Sequence, residues 1–330
     1  MTAGGPAARR DAAWRKVSSI ASIGECMIEL RAGGGATSAP AFGGAVAAFG
    51  GDSLNTAVYL ARLLADRGVA VDYATALGDD PWSSAMIAAW RAEGVGTGLV
   101  ATLPDRLPGL YMIRTDERGE RAFYYWRRQA AARDLLRQPQ AGAIVEQLAR
   151  YGLLYLTGVS VAILDDDRRR LLGLLERARA DGALIAFDSN YRARNWAGVA
   201  DARRWTEAAA RVAHLALSGF EDERLLFGDA SPEATAERLE RLGVSEVAVR
   251  SGAEPCVVLS RDGLKRVPAE RVAAPLDTTA AGDSFNAAYI AARVLGHGAE
   301  QAARHGHALA AAVIRYPGAI IPVEAMPRLP

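Results

Sequence analysis

Lysine, cysteine and histidine are all scarce in this chain of 330 residues. Of its 39 basic residues only Lys16 and Lys265 are lysines, and neither follows a glycine-rich phosphate loop. A Walker-type P-loop is therefore excluded, because that loop needs a lysine to reach the phosphates. Phosphate and carboxylate groups must be bound by arginine or by backbone amides, and arginine suits two-pronged binding of a carboxylate.

The only two cysteines, Cys26 and Cys256, lie far apart in the sequence, which predicts reduced thiols and no zinc site. The formal net charge of +1 argues against nucleic acid or an anionic membrane as a partner. The sequence shows neither a secretion-signal pattern nor an apolar run long enough to span a bilayer. A cytoplasmic protein is expected.

Half of the residues are hydrophobic, so the chain can bury a large core. Residues 1–16 are rich in alanine, glycine and arginine without a clear period, and we expect a mobile tail there. Residues 17–330 are expected to form one α/β domain. Strands are predicted at 19–27, 71–78, 153–158, 184–188 and 247–250, and helices at 56–64, 82–93 and 168–181.

Repeated strand-then-helix units predict a mostly parallel sheet that is covered on both faces. Several of these strands end in glycine or aspartate, at the sheet edge where such folds bind ligands. The exception is a hairpin predicted over residues 110–114 and 121–127, whose strands are antiparallel. This hairpin, together with short strand segments around 28–48, predicts a small β-sheet lid formed by about 28–48 and 107–130.

The most informative segment is residues 277–285, where small residues lead into a carboxylate at a predicted helix start. Gly282 and Asp283 fall in the first turn, whose unpaired N–H groups attract phosphate oxygens. Ala280, Ala281 and Gly282 allow close approach of a polyphosphate, and Asp283 could take a proton from an attacking alcohol. A carboxylate at this position is also a common helix stabiliser, so the spacing alone leaves both interpretations open.

This segment resembles the C-terminal signature of the ribokinase-type (PfkB) sugar kinases. The resemblance implies a ribokinase-like three-layer α/β/α fold, with Asp283 as the catalytic base and the amides of Ala280 to Asp283 as an anion hole. Most members have glycine where this chain has Ala280, so a positive φ there would strain the alanine. Because Asp283 lies at a helix N-terminus, we expect a low pKa for it.

Five further segments resemble the 2-keto-3-deoxygluconate kinases within that family: residues 24–30 (GECMIEL), 49–56 (FGGDSLNT), 106–111 (RLPGLY), 123–127 (FYYWR) and 318–322 (GAIIP). The two motifs in the predicted lid, at 106–111 and 123–127, best distinguish these kinases from other members of the family. The resemblance implies ATP-dependent phosphorylation of the C6 hydroxyl of 2-keto-3-deoxygluconate. The alternatives are another PfkB sugar kinase, of fructokinase or ribokinase type, and a catalytically silent sugar-binding regulator.

For the sugar, the resemblance implies contacts from Gly51, Asp52, Asn55, Tyr111, Tyr125 and Arg127. Arg127 is the candidate partner of the substrate carboxylate, since a buried carboxylate needs a cationic, hydrogen-bonding partner. The residues alone also allow a helix cap for Asp52, lid packing for the two tyrosines and an exposed basic strand edge for Arg127.

For the nucleotide, the resemblance implies contacts from Asn190, Arg192, Ser218, Arg250, Gly252, Ala253, Gly282 and His307. Arg192 is expected to hold the phosphorylated end of the sugar. The family's Asn-x-x-Glu motif lacks its asparagine here, so Glu221 and Asp222 are expected to meet a metal at most through water. The implied cofactors are ATP and Mg²⁺, with K⁺ left open, and the implied assembly is a homodimer through the lid.

Overall fold

A computed structural model describes residues 13–32, 45–115 and 121–328 of the chain. The glycine clusters around 33–44 and the predicted hairpin turn at 116–119 lie outside the described residues. Thirteen strands are described: β1 Ser19–Ile23, β2 Met27–Ala32, β3 Ala45–Gly50, β4 Ala70–Leu77, β5 Val100–Thr102, β6 Gly109–Thr115, β7 Arg121–Trp126, β8 Leu153–Thr157, β9 Leu184–Asp188, β10 Leu215–Gly219, β11 Glu246–Ser251, β12 Glu254–Ser260 and β13 Gly263–Val267.

The described helices lie mostly between these strands. They are α1 Asp52–Leu64, α2 Pro81–Ala92, α3 Ala141–Leu148, α4 Gly158–Ile163, α5 Arg168–Ala180, α6 Val199–Val212, α7 Phe220–Phe227, α8 Pro232–Arg241, α9 Ala281–Val294 and α10 Ala299–Val313. None of the helices in the described ranges is both long and apolar enough to cross a membrane.

The main sheet has nine strands in the order β13-β12-β11-β10-β9-β8-β1-β4-β5. The seven neighbouring strands β11, β10, β9, β8, β1, β4 and β5 pair in parallel. The remaining two strands of this sheet, β12 and β13, pair antiparallel. Successive side chains of a strand point to opposite faces, and Ile20 and Ala21 of β1 accordingly belong to two different buried clusters. Helices α1, α2, α9 and α10 pack on one face and α3 to α8 on the other, which gives the predicted three layers.

A second, smaller sheet has the order β3-β2-β6-β7. Strand β6 pairs antiparallel with β7, as the sequence predicts for the hairpin, and β2 joins β3 to β6. This four-stranded sheet matches the position of the predicted lid, and we call it the lid sheet.

The predicted tail is too long by four residues. Residues 13–16 form a helical turn, and Trp14 is buried in the core with the Arg293 guanidinium 5.2 Å from the centre of its ring. A large aromatic side chain stabilises the fold when it is buried, and the lack of a periodic pattern around it hides that role in the sequence. Residues 1–12 lie outside the described residues.

Candidate active site

A cavity of about 860 Å³ lies between the carboxyl edge of the main sheet and the lid sheet. The main-sheet side is formed by the ends of β9, β10 and β11 and by the start of α9. The lid side is formed by β6 and β7. Parallel strands present their carboxyl ends at one edge, so residues far apart in sequence meet here.

The helix α9 begins at Ala281, so Gly282 and Asp283 lie in its first turn, as the sequence pattern predicts. Ala280, the residue before it, has φ 59° and lies in the left-handed region. The alanine therefore carries the strain that its replacement of glycine predicts. This conformation turns the chain so that Gly282 and Asp283 enter the first helical turn, where main-chain N–H groups lack intrahelical partners.

Asp283 lines the cavity, and its Oδ2 accepts a hydrogen bond of 2.9 Å from the side-chain amide of Asn55 in α1. Burial raises the pKa of Asp283 to about 7, and the neighbouring carboxylates of Asp52 and Asp188 add to that effect. The expectation of a low pKa is wrong, because desolvation and two negative charges raise this pKa by more than Asn55 and Arg250 lower it. A base with a pKa near neutrality suits proton transfer at physiological pH.

Arg250, at the end of β11, lies directly beneath the start of α9. Its Nη2 donates to Asp188 Oδ2 at 2.8 Å and to the carbonyl of Leu217 at 3.2 Å. Asp188 also accepts a hydrogen bond of 2.7 Å from Asn286 of α9. A Cβ added to Gly282 would lie 2.2 Å from Arg250 Nη1, so glycine is required for this close approach. The result is a guanidinium held against the helix N-terminus that is expected to bind phosphate.

Asp52 begins α1, and it is held by hydrogen bonds from both sides. The Thr157 hydroxyl donates to its carboxylate at 2.7 Å, and the Asn190 side-chain amide donates to the same oxygen. Asn190 was expected to face phosphates, whereas its amide is bound to Asp52. Gly51 comes just before, and a Cβ there would lie 2.3 Å from the carbonyl oxygen of Glu25. Close packing of two backbones explains this glycine.

The lid sheet contributes three aromatic rings to the cavity, from Tyr111, Phe123 and Tyr125. Tyr111 and Tyr125 stack with ring centres 5.7 Å apart, and Phe123 and Tyr125 stack at 6.3 Å. The Tyr111 hydroxyl donates to Glu29 of β2. These rings give one side of the cavity a rigid apolar wall with hydroxyl groups at its edge.

Arg127, which follows β7, is brought to the cavity as predicted, but its charge is already compensated. Its Nη2 pairs with Glu25, and its Nη1 donates to Asn195 Oδ1 at 3.1 Å. Glu25 is buried, with 1% of its side chain exposed. Arg127 therefore has an anionic partner within the protein itself. No local pattern reveals the pair, because 102 residues separate its members.

Arg192 lines the cavity beside Asp222 of α7. Its Nη1 lies 3.1 Å and 3.2 Å from the two carboxylate oxygens of Asp222. Glu221 also lines the cavity, and it pairs with Arg224 on the outer side of α7. Within the described ranges, no three His, Cys, Asp or Glu side chains are grouped to hold a metal ion.

Two of the predicted nucleotide residues are not part of the cavity wall. Ser218 is buried, and its hydroxyl accepts a hydrogen bond from Ser189 at 3.4 Å. Ala253 follows Gly252 but does not line the cavity. Gly252 does line it, and its φ of 61° explains the glycine. His307 lines it as well, edge-on to Phe285 at 5.1 Å, and burial lowers its pKa.

The sequence interpretation misses several residues of the wall. Glu25, Arg194 and Asn195 line the cavity, as does Phe285. Glu25 and Phe285 fall inside motifs that drew attention to neighbouring residues. Arg194 and Asn195 lie two and three residues after Arg192, and this closeness to a predicted site residue was the one signal available in the sequence.

Comparisons with known proteins identify the family of this chain. A family model described as "pfkB family carbohydrate kinase" matches residues 17–326. The chain is 46% identical over 312 residues to the 2-dehydro-3-deoxygluconokinase of Escherichia coli (strain K12), covering 93% of this chain and 98% of that protein. It is 44% identical over 313 residues to the enzyme of the same name from Dickeya dadantii (strain 3937), covering 94% and 98%.

Among solved structures, the PfkB protein from Polaromonas sp. JS666 superposes with a TM-score of 0.78 at 27% identity, covering 91% of this chain and 96% of that one. The family match, the two relatives and this structure each extend over nearly the whole described chain. This chain therefore belongs to the pfkB family of carbohydrate kinases.

Proposed function

We propose that the protein transfers the γ-phosphoryl group of ATP to the C6 hydroxyl of 2-keto-3-deoxygluconate. The observation that carries the proposal is the position of Asp283, at a helix start beside Arg250 and in the same cavity as the arginines near the lid. One end of the cavity is thus equipped for phosphoryl transfer and the other for a carboxylate. The names of the two relatives at 44–46% identity support the same reaction.

In the proposed reaction, the C6 oxygen attacks the γ-phosphorus, the new O–P bond forms, and the bond to the bridging oxygen breaks to release ADP. Asp283 takes the proton of the attacking hydroxyl, and Asn55 holds the carboxylate in the required orientation. The N–H groups at the start of α9 stabilise the negative charge that develops on the phosphoryl oxygens, together with the charge of Arg250 beneath them.

The remaining predicted residues take the following proposed roles. Arg192 holds the phosphate end of the sugar, and Asn190 acts through Asp52, to which its amide is bound. Gly252 and His307 contact the nucleotide. Mg²⁺ binds in proteins through few carboxylates together with substrate phosphates and water, so Asp222 can meet it through water. Bound Mg²⁺ would neutralise charge on the triphosphate.

An assay with ATP, Mg²⁺ and a sugar panel tests the proposal. The panel contains 2-keto-3-deoxygluconate, fructose and ribose, with ADP release as the rate and phosphorus NMR to identify the phosphorylated oxygen. The fastest turnover is expected on the sugar acid, with the phosphate on C6. Faster turnover of fructose would assign a different substrate, and no turnover of any sugar would favour a silent regulator. Replacing K⁺ by Na⁺ in the same assay measures a monovalent-cation requirement.

We also propose a homodimer formed through the outer face of the lid sheet. Tyr124 and Trp126 alternate along β7 with the residues that face the cavity, and they are 47% and 59% exposed. Exposed aromatic side chains on one face of a sheet are typical of a protein interface.

Both cysteines are buried and unpaired, which supports the expected cytoplasmic location.

A further inference from the structure

One buried hydroxyl close to the cavity has no role in the proposed reaction. Tyr155 lies in β8, its side chain is fully buried, and it does not line the cavity. The Asn286 side-chain amide donates to this hydroxyl at 3.0 Å, and the Thr56 hydroxyl lies 3.3 Å from it. Asn286 belongs to α9 and Thr56 to α1, so a side chain of the central sheet joins the two helices that meet at Asp283.

On the side of α9, this contact reaches Arg250. The Asn286 amide nitrogen carries two protons, of which one is directed to Tyr155 and the other to Asp188 Oδ2 at 2.7 Å. The same oxygen of Asp188 accepts the hydrogen bond of 2.8 Å from Arg250. The Asn286 side-chain oxygen is buried and has no hydrogen-bond partner among the described residues, so the contacts of the nitrogen fix the rotation of the amide. The Tyr155 hydroxyl therefore helps to orient the carboxylate that holds Arg250.

On the side of α1, the contact reaches the proposed base. The Thr56 hydroxyl lies 3.3 Å from the main-chain carbonyl oxygen of Asp283, and the preceding residue, Asn55, donates to the Asp283 carboxylate at 2.9 Å. Helix α1 thus holds Asp283 at both its main chain and its side chain. Tyr155 supports the first of these connections through Thr56.

The Tyr155 hydroxyl is not itself an acid or a base of the reaction. Burial raises the pKa of Tyr155 well above its ordinary value, and the carboxylates of Asp188 and Asp283 add to that effect. The hydroxyl therefore stays neutral at physiological pH and acts as a hydrogen-bonding group. Because it lies outside the cavity wall, its influence on the reaction must pass through Asn286 and Thr56.

We infer that Tyr155 is a positioning residue of the phosphoryl transfer, whose hydroxyl aligns the base Asp283 with the phosphate-binding cation Arg250. The two groups act on different atoms of one transition state, since Asp283 faces the attacking oxygen and Arg250 the phosphoryl oxygens. Their relative position decides how well both can act at once. The inference rests on the proposed roles of Asp283 and Arg250, and it does not depend on which sugar carries the attacking hydroxyl.

The test removes the hydroxyl by Tyr155→Phe, which keeps the aromatic ring. Tyr289→Phe is the matched control, because Tyr289 is equally buried, lies on α9 itself and donates to Glu246 at 2.8 Å rather than to a group of the site. Thr56→Val replaces the partner hydroxyl on α1 by a methyl group. Each protein is assayed with ATP and the sugar that the wild type phosphorylates fastest. The kcat, the KM for each substrate and the melting temperature are recorded.

Tyr155→Phe should lower kcat about 10- to 100-fold, because a displacement of about 1 Å in a catalytic group can have that effect. Both KM values should stay within about threefold, since an alignment that matters only in the transition state leaves substrate binding unchanged. Thr56→Val should lower kcat by a smaller factor, because the link through Asn286 remains. Tyr289→Phe should keep kcat within about twofold. Its melting temperature should fall as much as that of Tyr155→Phe, since each variant loses one buried hydrogen-bonding hydroxyl.

A double variant tests the route through Arg250. Gly282→Ala places a methyl group where the Arg250 guanidinium lies, so that guanidinium is already displaced. Tyr155→Phe should therefore lower kcat by a smaller factor in the Gly282→Ala background than in the wild type, since the two changes act on one group. Tyr289→Phe should have the same small effect in both backgrounds.

A Tyr155→Phe variant with the kcat of Tyr289→Phe overturns the inference and leaves the kinase activity standing. A loss confined to the KM values also overturns it, because Tyr155 would then shape a binding site. Losses from Tyr155→Phe and Gly282→Ala that simply multiply overturn it as well. Where Tyr155→Phe melts far below the control, Thr56→Val decides, and an unchanged kcat in that variant overturns the inference. A wild type that phosphorylates no sugar overturns the proposed function instead.

Discussion

The guanidinium of Arg250 occupies the space into which any side chain at Gly282 would project. Nη1 of Arg250 would be 2.2 Å from a Cβ at that position, far inside contact distance. Gly282 therefore does more than let a phosphate approach the backbone. It lets a cation lie against the first turn of α9 on the side of the protein interior, and Asp188 fixes the other arm of that cation.

Replacing Gly282 by alanine should displace Arg250 from the helix start. We expect kcat to fall roughly 10²-fold, because a displacement of about 1 Å in a catalytic group can have that effect. Folding should persist, since the methyl group meets the end of a side chain rather than backbone. Steady-state kinetics with saturating sugar acid and ATP measures the change.

Gly173→Ala is the matched control for this substitution. Gly173 lies inside α5, and a Cβ there meets no atom within 4 Å, so alanine should leave kcat unchanged and raise helix stability slightly. If Gly282→Ala retains wild-type kcat, Arg250 does not act on the transferring phosphoryl group.

Asp283→Asn should lower kcat by roughly 10²–10⁴-fold, the range for the loss of a general base. The amide has the size of the carboxylate and can still face Asn55, so the fold and ATP binding should be retained. Calorimetric titration with an ATP analogue and circular dichroism check both. Turnover close to that of the wild type would remove Asp283 from the role of base.

The pKa of Asp283 sets the expected pH dependence. Because burial raises this pKa to about 7, the carboxylate becomes protonated as the pH falls below that value. The kcat/KM for the sugar should therefore drop about tenfold per pH unit on the acid side of pH 7, where the base is lost. Asp52 contributes to the raised pKa, so Asp52→Asn should move the acid limb to lower pH. A profile that stays in place would show that Asp283 does not control it.

The layered architecture could be predicted from the sequence, because it depends on local patterns. Buried strands such as β9 are continuous apolar runs, and a parallel sheet covered on both faces is their natural arrangement. The strands β12 and β13, at one side of the sheet, were not predicted, because four of the five residues of β13 are exposed, although Asp262 and Gly263 at the turn are a common hairpin signal. The cavity residues that follow glycine turns or strand ends came from the family resemblance, and they meet because parallel strands end at the same edge of the sheet.

What the sequence could not supply is the electrostatics of the cavity. Asn55 and Asp283 are 228 residues apart, and the pKa of Asp283 depends on this contact and on the carboxylates of Asp52 in α1 and Asp188 in β9. The pairing of Arg127 with Glu25 is equally remote from any local pattern. A charge that looks available in a motif is available in the protein only if no distant residue compensates it.

The outer face of the lid sheet gives a further test. If Tyr124 and Trp126 are buried between two copies of the chain, Trp126→Glu places a charge in an apolar interface and should produce a monomer. Light scattering after size-exclusion chromatography measures the mass. Trp82→Glu is the control, because Trp82 is 48% exposed at the start of α2, where a negative charge is favourable. A dimer that survives Trp126→Glu would place the interface elsewhere.

The strained residue before α9 yields a prediction in which two neighbouring alanines respond with opposite signs. Ala280 has φ 59°, a conformation that costs a non-glycine residue about 1–3 kcal/mol. Ala280→Gly releases this strain. The greater freedom of glycine in the unfolded chain offsets about 0.4–1 kcal/mol of that gain in stability. The free energy of unfolding should therefore rise, by up to about 2 kcal/mol.

Ala281, one residue later, is the first residue of α9 and has no positive φ. Ala281→Gly removes no strain there and should lower the free energy of unfolding by about 0.5–1 kcal/mol, the usual effect of glycine within a helix. Urea denaturation of both variants beside the wild type, with equal slopes, measures the two changes. If Ala280→Gly loses as much stability as Ala281→Gly, the turn before the catalytic helix is not strained, and the alanine at position 280 is tolerated because the backbone there relaxes.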